Sequence, residues 1–481
     1  GKSALLANTT ASNNTAVGYY ALGANTTGIS NTAVGKDALV ANTTGNTNVA
    51  VGDDALTSNT TGAGNTAIGH DSSLSITTGG ENTSLGINSL RTATTGSFNT
   101  GLGGGALQNT TTASNNTAVG YNSLVSNTTG TSNVGVGYAA LTANTTASNN
   151  TAVGYGALDA NTTGSQLTAL GVNALGANTT AIDNVAVGSH ALYVNTTGAT
   201  NTGVGRSALT ANTTGAENTA LGAYALDANT TGSYNDAFGS QALGANTTGQ
   251  DNSAIGRYTL NTNTTGSSNT ACGSLALRYA TTASYNTALG RQAGTNITTG
   301  ANNTCLGYVA GDTITTGSSS ICIGYESDTS GSGVSEIVIG NSITGRGNNT
   351  GLIYPPGGGG MYQATNATTW SQTSDERIKK NIEDNTTGLD AINQIRVRNF
   401  EYRTEDEITD FENPASAVVN KEGVQVGVIA QEIETVLPDV VYEEATGVKT
   451  LDADNLTWYL VNSVKELSAK VEDLEKQLNN K

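Results

Sequence analysis

Apolar, small and polar positions recur every 17 residues over about two thirds of the chain. A glycine closes the recurrent "AVG" group at Gly1, Gly18 and Gly35, and the spacing holds through twenty such glycines to Gly324. The next candidate, Gly340, comes one residue early, so the array ends near residue 340. A fixed period of this size predicts a repeat protein in which each repeat forms one structural unit.

Each position within the period has its own character. The residue before the registered glycine is always apolar, as at Val17 and Phe238, and the residue before that is always small, as at Ala118 and Cys305. A leucine usually stands four residues after the glycine, as at Leu22, and every complete repeat contains a Thr-Thr pair followed by Gly or Ala. Such restriction indicates one local environment that recurs along the chain.

A unit of 17 residues is too short for a helix pair and too polar for a coiled coil. It predicts one coil of a parallel β-solenoid, with two short strands and two corners. Coils that stack at about 4.8 Å would make a rod of about 95 Å from twenty repeats. The predicted fold class is therefore mainly β, with a β-solenoid shaft over residues 1–340.

Side chains alternate across a strand, so Ala16 and Val17 should point to opposite faces. We expect the valine face to fill the interior of the coil. The alanine face admits only Ala, Gly, Ser or Cys, whereas a solvated face would collect Lys and Glu, so we expect it to contact other copies of the chain. The pattern predicts a homotrimer wound around one axis, which lysines at Ala118 and Ala152 would disrupt.

The recurrent "NTT" and "NNT" have two interpretations. They match the N-glycosylation sequon, and they also suit a ladder of stacked asparagine amides along the rod. Where most repeats carry the asparagine of "NTT", others carry Ile76, Ala93, Ile297 or Ile314. A position that accepts isoleucine favours the buried ladder over dense glycosylation.

The repeat resembles the Hep/Hag-type head repeats of trimeric autotransporter adhesins and related repeats in phage fibre shafts, although its period is longer than the usual head repeat. The resemblance covers residues 1–340 and implies a parallel β-roll trimer.

Charge marks a second domain. Residues 1–373 contain 8 Lys and Arg against 15 Asp and Glu, whereas the much shorter span 374–481 contains 12 against 23. Between the repeats and this span, residues 341–373 include Pro355, Pro356 and four consecutive glycines, which predict a transition or tip segment. The net charge of −18 argues against a nucleic-acid partner, and no apolar stretch is long enough to span a membrane.

The remaining signals are sparse. Cys305 and Cys322 share one register in adjacent repeats, and both fit the small-residue position better than a disulfide. The spacing of the cysteines and histidines predicts no metal site and no cofactor. Gly1 already stands in register and no initiator methionine precedes it, so we expect a longer parent chain or processing.

Candidate chemistry begins at "TSDERIKKNIED", residues 373–384. Ser374 precedes Lys379 by five residues, and a neutral lysine can act as the base that activates a serine nucleophile. Desolvation and the neighbouring cations Arg377 and Lys380 would favour that neutral form. The alternative is an ordinary helix start, with Ser374 as N-cap and acidic residues in the first turn.

The segments "SDERIKKNIED", "LDAINQIRVRNFEYR", "VQVGVIAQEIETVLPDVV" and "KTLDADNLTWYLVNSVKEL" follow in an order that resembles the peptidase S74 family, the intramolecular chaperone domain of phage tail fibres and endosialidase spikes. The resemblance covers residues 374–481. It implies a domain that trimerises, helps the preceding β-structure fold and then cuts itself off.

The same resemblance implies a Ser–Lys peptidase that acts once on its own chain, with no external substrate. It implies Ser374 as nucleophile, Lys379 as base and cleavage between Thr373 and Ser374. Lys380 is an additional lysine that leaves the base assignment ambiguous. In the "GVIAQE" signature, Gln431 and Glu432 are interpreted as packing and orienting residues.

The last segment carries apolar residues spaced 4, 3, 4, 3 and 4. They are Leu460, Val464, Leu467, Val471, Leu474 and Leu478. This heptad pattern predicts a trimeric coiled coil over residues 456–481. The alternative is a single amphipathic helix that lies on its own domain.

These observations favour a viral tail-fibre shaft for host attachment, extracellular on the virion and trimerised by a self-cleaving C-terminal chaperone. The expected partners are two further copies of the chain, a glycan or protein receptor on the host cell, and a virion protein upstream. The alternatives are a bacterial trimeric adhesin at the cell surface and an ice-binding solenoid, because stacked threonines can match an ice lattice.

Overall fold

The structure is a computed structural model that describes residues 1–331, 334–355, 360–364, 376–409, 419, 421–444 and 447–480. The chain divides into two compact units, Gly1–Thr373 and Ser374–Lys481. The first unit is described as the rod and the second as the C-terminal unit. Of the sequence-predicted site, Thr373 and Ser374 lie outside the described residues.

The rod is built from short strands. Its regular coils contribute β1 Thr15–Val17, β2 Thr32–Val34, β3 Val49–Val51, β4 Thr66–Ile68, β5 Thr83–Leu85, β6 Thr100–Leu102, β7 Thr117–Val119, β8 Val134–Val136, β9 Thr151–Val153, β10 Thr168–Leu170, β11 Val185–Val187, β12 Thr202–Val204, β13 Thr219–Leu221, β14 Asp236–Phe238, β15 Ser253–Ile255, β16 Thr270–Cys272, β17 Thr287–Leu289, β18 Thr304–Leu306 and β19 Ile321–Ile323. The end of the rod adds β20 Ser327–Asp328, β21 Ile337–Gly340, β22 Ile343–Thr344, β23 Gly351–Tyr354 and β24 Met361–Gln363.

Consecutive coils pair in parallel and in register, which confirms the predicted β-solenoid. Thr15 pairs with Thr32 and Val17 with Val34, and the same offset of 17 residues recurs along the rod. The expectation of two strands per coil is wrong, because each regular coil has one strand of three residues and turns elsewhere. The turns are also bonded along the axis, as where Leu22 N–H donates to Ala38 O at 3.0 Å.

The registered glycine is required by two features of its position. Gly18 has φ of +142°, a backbone conformation that is essentially restricted to glycine. A Cβ there would also lie 2.1 Å from the carbonyl oxygen of Gly35 in the next coil. The glycine therefore permits the close axial approach of one coil to the next.

The predicted assignment of the two strand faces is reversed. Ala118 and Ala152 are fully buried inside the coil at 0% exposure, whereas Val17 is 57% exposed on the outside. Only small residues fit at this position because the interior of the coil is already filled. At Gly203, for example, a Cβ would lie 3.4 Å from Leu192 Cγ. The leucine four residues after most registered glycines thus fills the interior against the strand, and no partner chain is needed to explain the alanines.

That leucine adopts an unexpected backbone conformation. Leu22 has φ of +52°, and the leucines at the same position of the other coils share this left-handed region. An L-residue other than glycine pays about 1–2 kcal/mol for this conformation. The cost is offset by complete burial of the side chain and by the axial hydrogen bond of its amide.

The predicted ladder of stacked asparagine amides is confirmed, and the rod contains two such buried ladders. In the first, Asn161 Nδ2 donates to Asn144 Oδ1 at 3.1 Å and to Gly164 O at 2.9 Å. In the second, Asn31 N–H donates to Asn14 Oδ1 at 2.9 Å. Because Asn161 is fully buried, its side chain is not at the surface of the folded rod, although it lies in an "NTT" sequon.

The first ladder is interrupted where other residues replace asparagine. Ile76 and Ala280 take the ladder position in their coils and are fully buried. Among the described residues, Asn59 Oδ1 and Asn263 Oδ1 are buried without a hydrogen-bond partner, and each belongs to the last asparagine before an interruption. The orphan oxygens follow directly from the direction of the ladder, in which each amide donates to the preceding coil.

The rod continues past residue 340. Strand β21 pairs in parallel with β19, and β23 pairs in parallel with β21, while the coil shortens. Strand β24 then pairs with β23 in the antiparallel direction. Residues 351–354 thus extend the axial sheet within the segment that the sequence marked as a transition or tip.

The cysteines occupy positions that fit their predicted packing role. Cys305 and Cys322 lie in the buried middle of adjacent strands and are free thiols. Burial raises the pKa of the Cys305 thiol to about 12, so this thiol is neutral at physiological pH.

The C-terminal unit combines short strands and helices. Its elements are a 3₁₀ turn Glu376–Ile378, α1 Leu389–Ile392, β25 Arg398–Phe400, a 3₁₀ turn Glu405–Glu407, β26 Gln425–Gly427, α2 Ala430–Glu434, a 3₁₀ turn Pro438–Val440, β27 Val441–Glu443, β28 Lys449–Leu451 and α3 Ala453–Asn479. Strands β25 and β26 form one antiparallel pair, and β27 and β28 form another. No helix in the described part of the chain is long and apolar enough to cross a membrane.

The asparagine ladder generates a stability prediction. Asn161→Ala removes the donor to Asn144 Oδ1 and the acceptor of Asn178 Nδ2, so buried polar atoms lose their partners. We expect the free energy of unfolding of the rod to fall by about 2–4 kcal/mol. Thermal unfolding followed by the β-sheet circular dichroism signal measures the change. Thr163→Ala, an exposed position in the same coil, is the matched control and should change stability by less than about 0.5 kcal/mol.

Candidate functional site

The predicted processing site lies at the start of the C-terminal unit. Within its described part, the 3₁₀ turn Glu376–Ile378 is followed by Lys379, whose backbone N–H donates to Glu376 O at 3.0 Å. The side chains of Lys379 and Lys380 are exposed in the single chain. A lysine acts as a general base only when it is neutral, and desolvation is the usual means of favouring that form. One chain does not bury Lys379, so an enclosing pocket would have to be completed by further contacts.

Glu432 joins the first strand pair to α2. Arg398 begins β25, which pairs with β26, and α2 starts three residues after β26 ends. Arg398 Nε donates to Glu432 Oε2 at 3.2 Å, and Arg398 Nη2 donates to Glu432 Oε1. The hydrogen bond from Arg398 and the positive charges of Arg398 and Arg396 lower the pKa of Glu432. This fork-shaped contact joins α2 to β25.

Gln431 lies differently from its expected packing role. Its side chain is exposed and lines an open groove on the surface of the unit. The groove is formed by Gln394, Arg396, Gln431, Glu432, Thr435 and Val436. Gln431 and Glu432 therefore border the same groove, and of the two it is Glu432 whose hydrogen bonds join α2 to β25.

The core of the C-terminal unit is small. Among the described residues, its buried apolar cluster consists of Ile433, Leu437, Val440 and Tyr459, with partly buried residues around it. Tyr459 contributes from α3 and donates a short hydrogen bond to Asp439 Oδ2. The hydrogen bond to Asp439 and burial both raise the pKa of Tyr459. Helix α3 is thus anchored to the unit near its N-terminal end.

Helix α3 confirms the predicted C-terminal helix, although it begins at Ala453 rather than at residue 456. Its start is defined by Asp452, whose side chain accepts hydrogen bonds from the N–H groups of Asp454 and Asn455. Beyond Glu466 the described side chains of the helix are exposed, so this part extends without packing on its own unit.

The six heptad residues form a continuous exposed row, called here the seam. The seam consists of Leu460, Val464, Leu467, Val471, Leu474 and Leu478, which are 46–74% exposed. A helix that lay on its own domain would bury its apolar row, and α3 instead buries Tyr459 and Ser463. The amphipathic-helix alternative therefore does not account for the seam.

Further large apolar side chains are exposed elsewhere in the unit. They include Ile382, Val397, Val424, Val426 and Trp458. Exposed apolar surface on this scale, together with a small core, is typical of a unit that associates with other chains. Sequence reasoning found the seam from its spacing but missed these residues, because they do not recur at a fixed spacing along the chain.

The Arg398–Glu432 contact generates a pH prediction. Because the folded-state pKa of Glu432 is lowered, its contribution to stability is present above the ordinary carboxyl pKa of 4.5 and is lost as the pH falls through the lowered value. Glu432→Gln should therefore lower the free energy of unfolding of the C-terminal unit at neutral pH. Below pH 4.5 this free energy should depend less on pH in the variant than in the wild type. Melting of the helical circular dichroism signal at several pH values tests this. Glu472→Gln, at an exposed position of α3, is the control and should show the same dependence of stability on pH as the wild type.

Comparison with known proteins bears on this unit alone. Residues 374–442 match the family model of peptidase S74, described as the chaperone of endosialidase. No curated protein and no solved structure matches the chain. The matched stretch begins at Ser374 and ends within β27, so it includes Lys379, Gln431 and Glu432, while α3 and the rod lie outside it.

Proposed function

We propose that the chain is a trimeric viral tail-fibre shaft for host attachment, assembled by a self-cleaving chaperone at its C-terminal end. The observation that carries the proposal is the order of the two units. A solenoid of nearly identical coils is followed, after residues 341–373, by a segment that matches the chaperone of endosialidase. On this proposal the shaft is extracellular on the virion, and residues 341–373 form the transition or tip that follows it.

The repeat itself explains why such a chaperone is useful. Successive coils present nearly the same residues in the same register, so a slip of one coil between copies leaves most contacts matched. Pairing between distant segments is also intrinsically slow and exposes strand edges while it proceeds. A C-terminal unit that first aligns three chains would remove the misaligned assemblies before the rods form.

The exposed face of the strands supports the trimer. The residue before each registered glycine is called here the outer apolar row; examples are Val17, Leu85, Leu170, Leu221 and Ile255, each at least 47% exposed. The row is apolar from Val17 to Ile339 without a polar exception. A partner that matches it must offer apolar contacts at the same axial spacing, which another copy of this rod does. The proposed contact face is therefore the outer apolar row, in place of the alanine face.

The seam on α3 supports association at the other end. Its alternating steps of four and three residues are the spacing of a left-handed coiled coil, and its six residues are exposed in the single chain. Burial of the seam between three copies would remove that apolar surface from water. It would also place the three N-terminal parts of α3 at one common height, which aligns the chains.

The proposed cleavage is an acyl transfer followed by hydrolysis. Lys379, as the neutral base, takes the proton from Ser374 Oγ, which attacks the carbonyl carbon of Thr373. The C–N bond breaks, the amide nitrogen of Ser374 takes a proton and becomes an amine, and an ester joins the two residues. Water then hydrolyses the ester and releases the C-terminal unit. Because the single chain leaves Lys379 exposed, a pocket completed by assembly would make the cut follow trimerisation.

Two alternatives remain distinguishable. An adhesin would share the solenoid but would not use the predicted cleavage. An ice-binding surface needs a flat array of free hydroxyls, whereas the hydroxyl of the first threonine of most pairs already donates a hydrogen bond, as where Thr162 Oγ1 donates to Thr179 O at 3.1 Å. Only the second threonine of each pair, such as Thr163, forms an exposed row. A measurement of thermal hysteresis separates this alternative from the fibre.

The first prediction from this proposal concerns the cut. Wild-type protein should release a fragment that begins with Ser374, identified by N-terminal sequencing after a denaturing gel. Ser374→Ala and Lys379→Ala should each give full-length chains, because the nucleophile or its base is lost. Lys380→Ala is the matched control and should still cut. Release of the same fragment by Ser374→Ala would show that a different protease made it.

The second prediction concerns the contact face. The double substitution Leu221→Lys and Ile255→Lys places charges on the outer apolar row without entering the coil, so the rod should stay folded but separate into single chains. The matched control, Thr214→Lys with Thr248→Lys, adds the same charge at exposed positions and should remain oligomeric. Light scattering after removal of the C-terminal unit gives the mass. An unchanged oligomer in the first variant would rule out this face.

A further inference from the structure

Helix α3 has two adjacent functional faces. The first is the seam, and the second, called here the inner face, points into the C-terminal unit. The inner face consists of Tyr459, Asn462, Ser463 and Glu466. At about 100° per residue the two faces are centred roughly 100° apart on the helix. They share the same helical turns between residues 459 and 467, so a contact that fixes the seam also fixes the inner face.

The inner face holds a short segment of chain that follows Lys379. Asn462 Nδ2 donates to Asn385 O at 2.9 Å and to Thr387 O at 3.2 Å. Glu466 Oε2 accepts the N–H of Leu389 at 2.9 Å. These three contacts connect residues separated by at least 75 positions, so they constrain where residues 385–389 lie.

Glu466 also serves as the missing cap of α1. This helix has no side-chain hydrogen bond from its own N-cap residue, Gly388, and the Leu389 N–H is satisfied by Glu466 from α3. A carboxylate at this end of a helix is electrostatically favourable. Gly388 is buried, and a Cβ there would lie 2.2 Å from Glu466 Oε1, so the glycine makes room for the carboxylate.

We propose that Asn462 and Glu466 are positioning residues that transmit assembly of α3 to the processing segment. The inference rests on the proposed function, since it names what couples trimerisation to the cut. In a single chain the seam is exposed, and the described side chains of α3 beyond Glu466 are exposed as well. Burial of the seam would rigidify the turns that carry Asn462 and Glu466. Residues 385–389 would then be held, and with them Lys379, which lies six residues before Asn385.

The proposal predicts variants that assemble but cut slowly. Glu466→Ala removes the acceptor for Leu389, and Asn462→Asp removes the donor to the two carbonyl groups. Both should remain trimers and cut at least about tenfold more slowly than wild type, a factor that corresponds to about 1.4 kcal/mol in the barrier. Glu466→Gln keeps an acceptor oxygen and should restore cutting to within about twofold. Glu472→Ala, an exposed glutamate on α3, is the matched control and should cut at the wild-type rate.

The experiment uses the full chain. Cleavage is followed on denaturing gels, and the trimer is measured by light scattering. Amide hydrogen exchange at residues 385–392 is compared in chains that also carry Ser374→Ala, so that all samples are uncut. Faster exchange in Glu466→Ala, restored in Glu466→Gln, would support positioning of this segment.

Each contrary result is distinct. A trimeric Glu466→Ala variant that cuts at the wild-type rate overturns the inference while the proposed function stands. Loss of the trimer in Glu466→Ala also overturns it, since the role would then lie in assembly. A wild-type chain that trimerises but is never cut contradicts the proposed cleavage itself, and this inference with it.

Discussion

The rod depends on hydrogen bonding between coils along its axis. Each strand of the regular coils has only three residues, so a pair of coils gains little from the sheet alone. The turns add axial bonds, such as that from Leu22 N–H to Ala38 O, and the buried asparagines add two side-chain ladders. These bonds form only if adjacent coils approach closely, which the registered glycine permits. A substitution at Gly18 would therefore strain the backbone and separate two coils at once.

The interior explains the composition of the repeat. Buried leucine and alanine supply the apolar core, while asparagine fills the remaining interior positions with amides that bond to the next coil. Buried polar groups are stable here because nearly all of them have a partner. Among the described residues, Asn59 Oδ1 and Asn263 Oδ1 lack a partner because the next coil has no asparagine at the ladder position, and Thr110 Oγ1 and Arg278 Nε also lack one. The polar interior of the rod is therefore stable only where adjacent coils repeat the same asparagine, which supplies the hydrogen-bond partner.

The two units share one physical property, which is an ordered apolar surface that the single chain leaves exposed. In the rod it is the outer apolar row, and in the C-terminal unit it is the seam of α3. A periodic row suits a partner of equal period, and a copy of the same chain meets that condition. The proposed roles of the two surfaces, alignment of the chains by the seam and contact between rods by the outer apolar row, follow from the difference in their lengths. Because the seam is short, copies of α3 can pair along it in few registers. The long outer apolar row lets copies of the rod pair in many shifted registers.

The sequence alone determined the period, the parallel solenoid, the asparagine ladder and the C-terminal helix, because each depends on residues that recur at a fixed spacing. It did not determine the direction in which Ala16 and Val17 point, since alternation gives two faces without saying which one is internal. Tertiary structure decided this, because Leu22 and its equivalents turn inward through a left-handed backbone and leave room only for small residues opposite. Leucine rarely adopts that conformation, so the local sequence does not predict it. In the C-terminal unit, likewise, the seam was readable from its heptad, whereas the contacts of Asn462 and Glu466 with residues 385–389 join positions far apart in the chain. Only the folded unit brings them together.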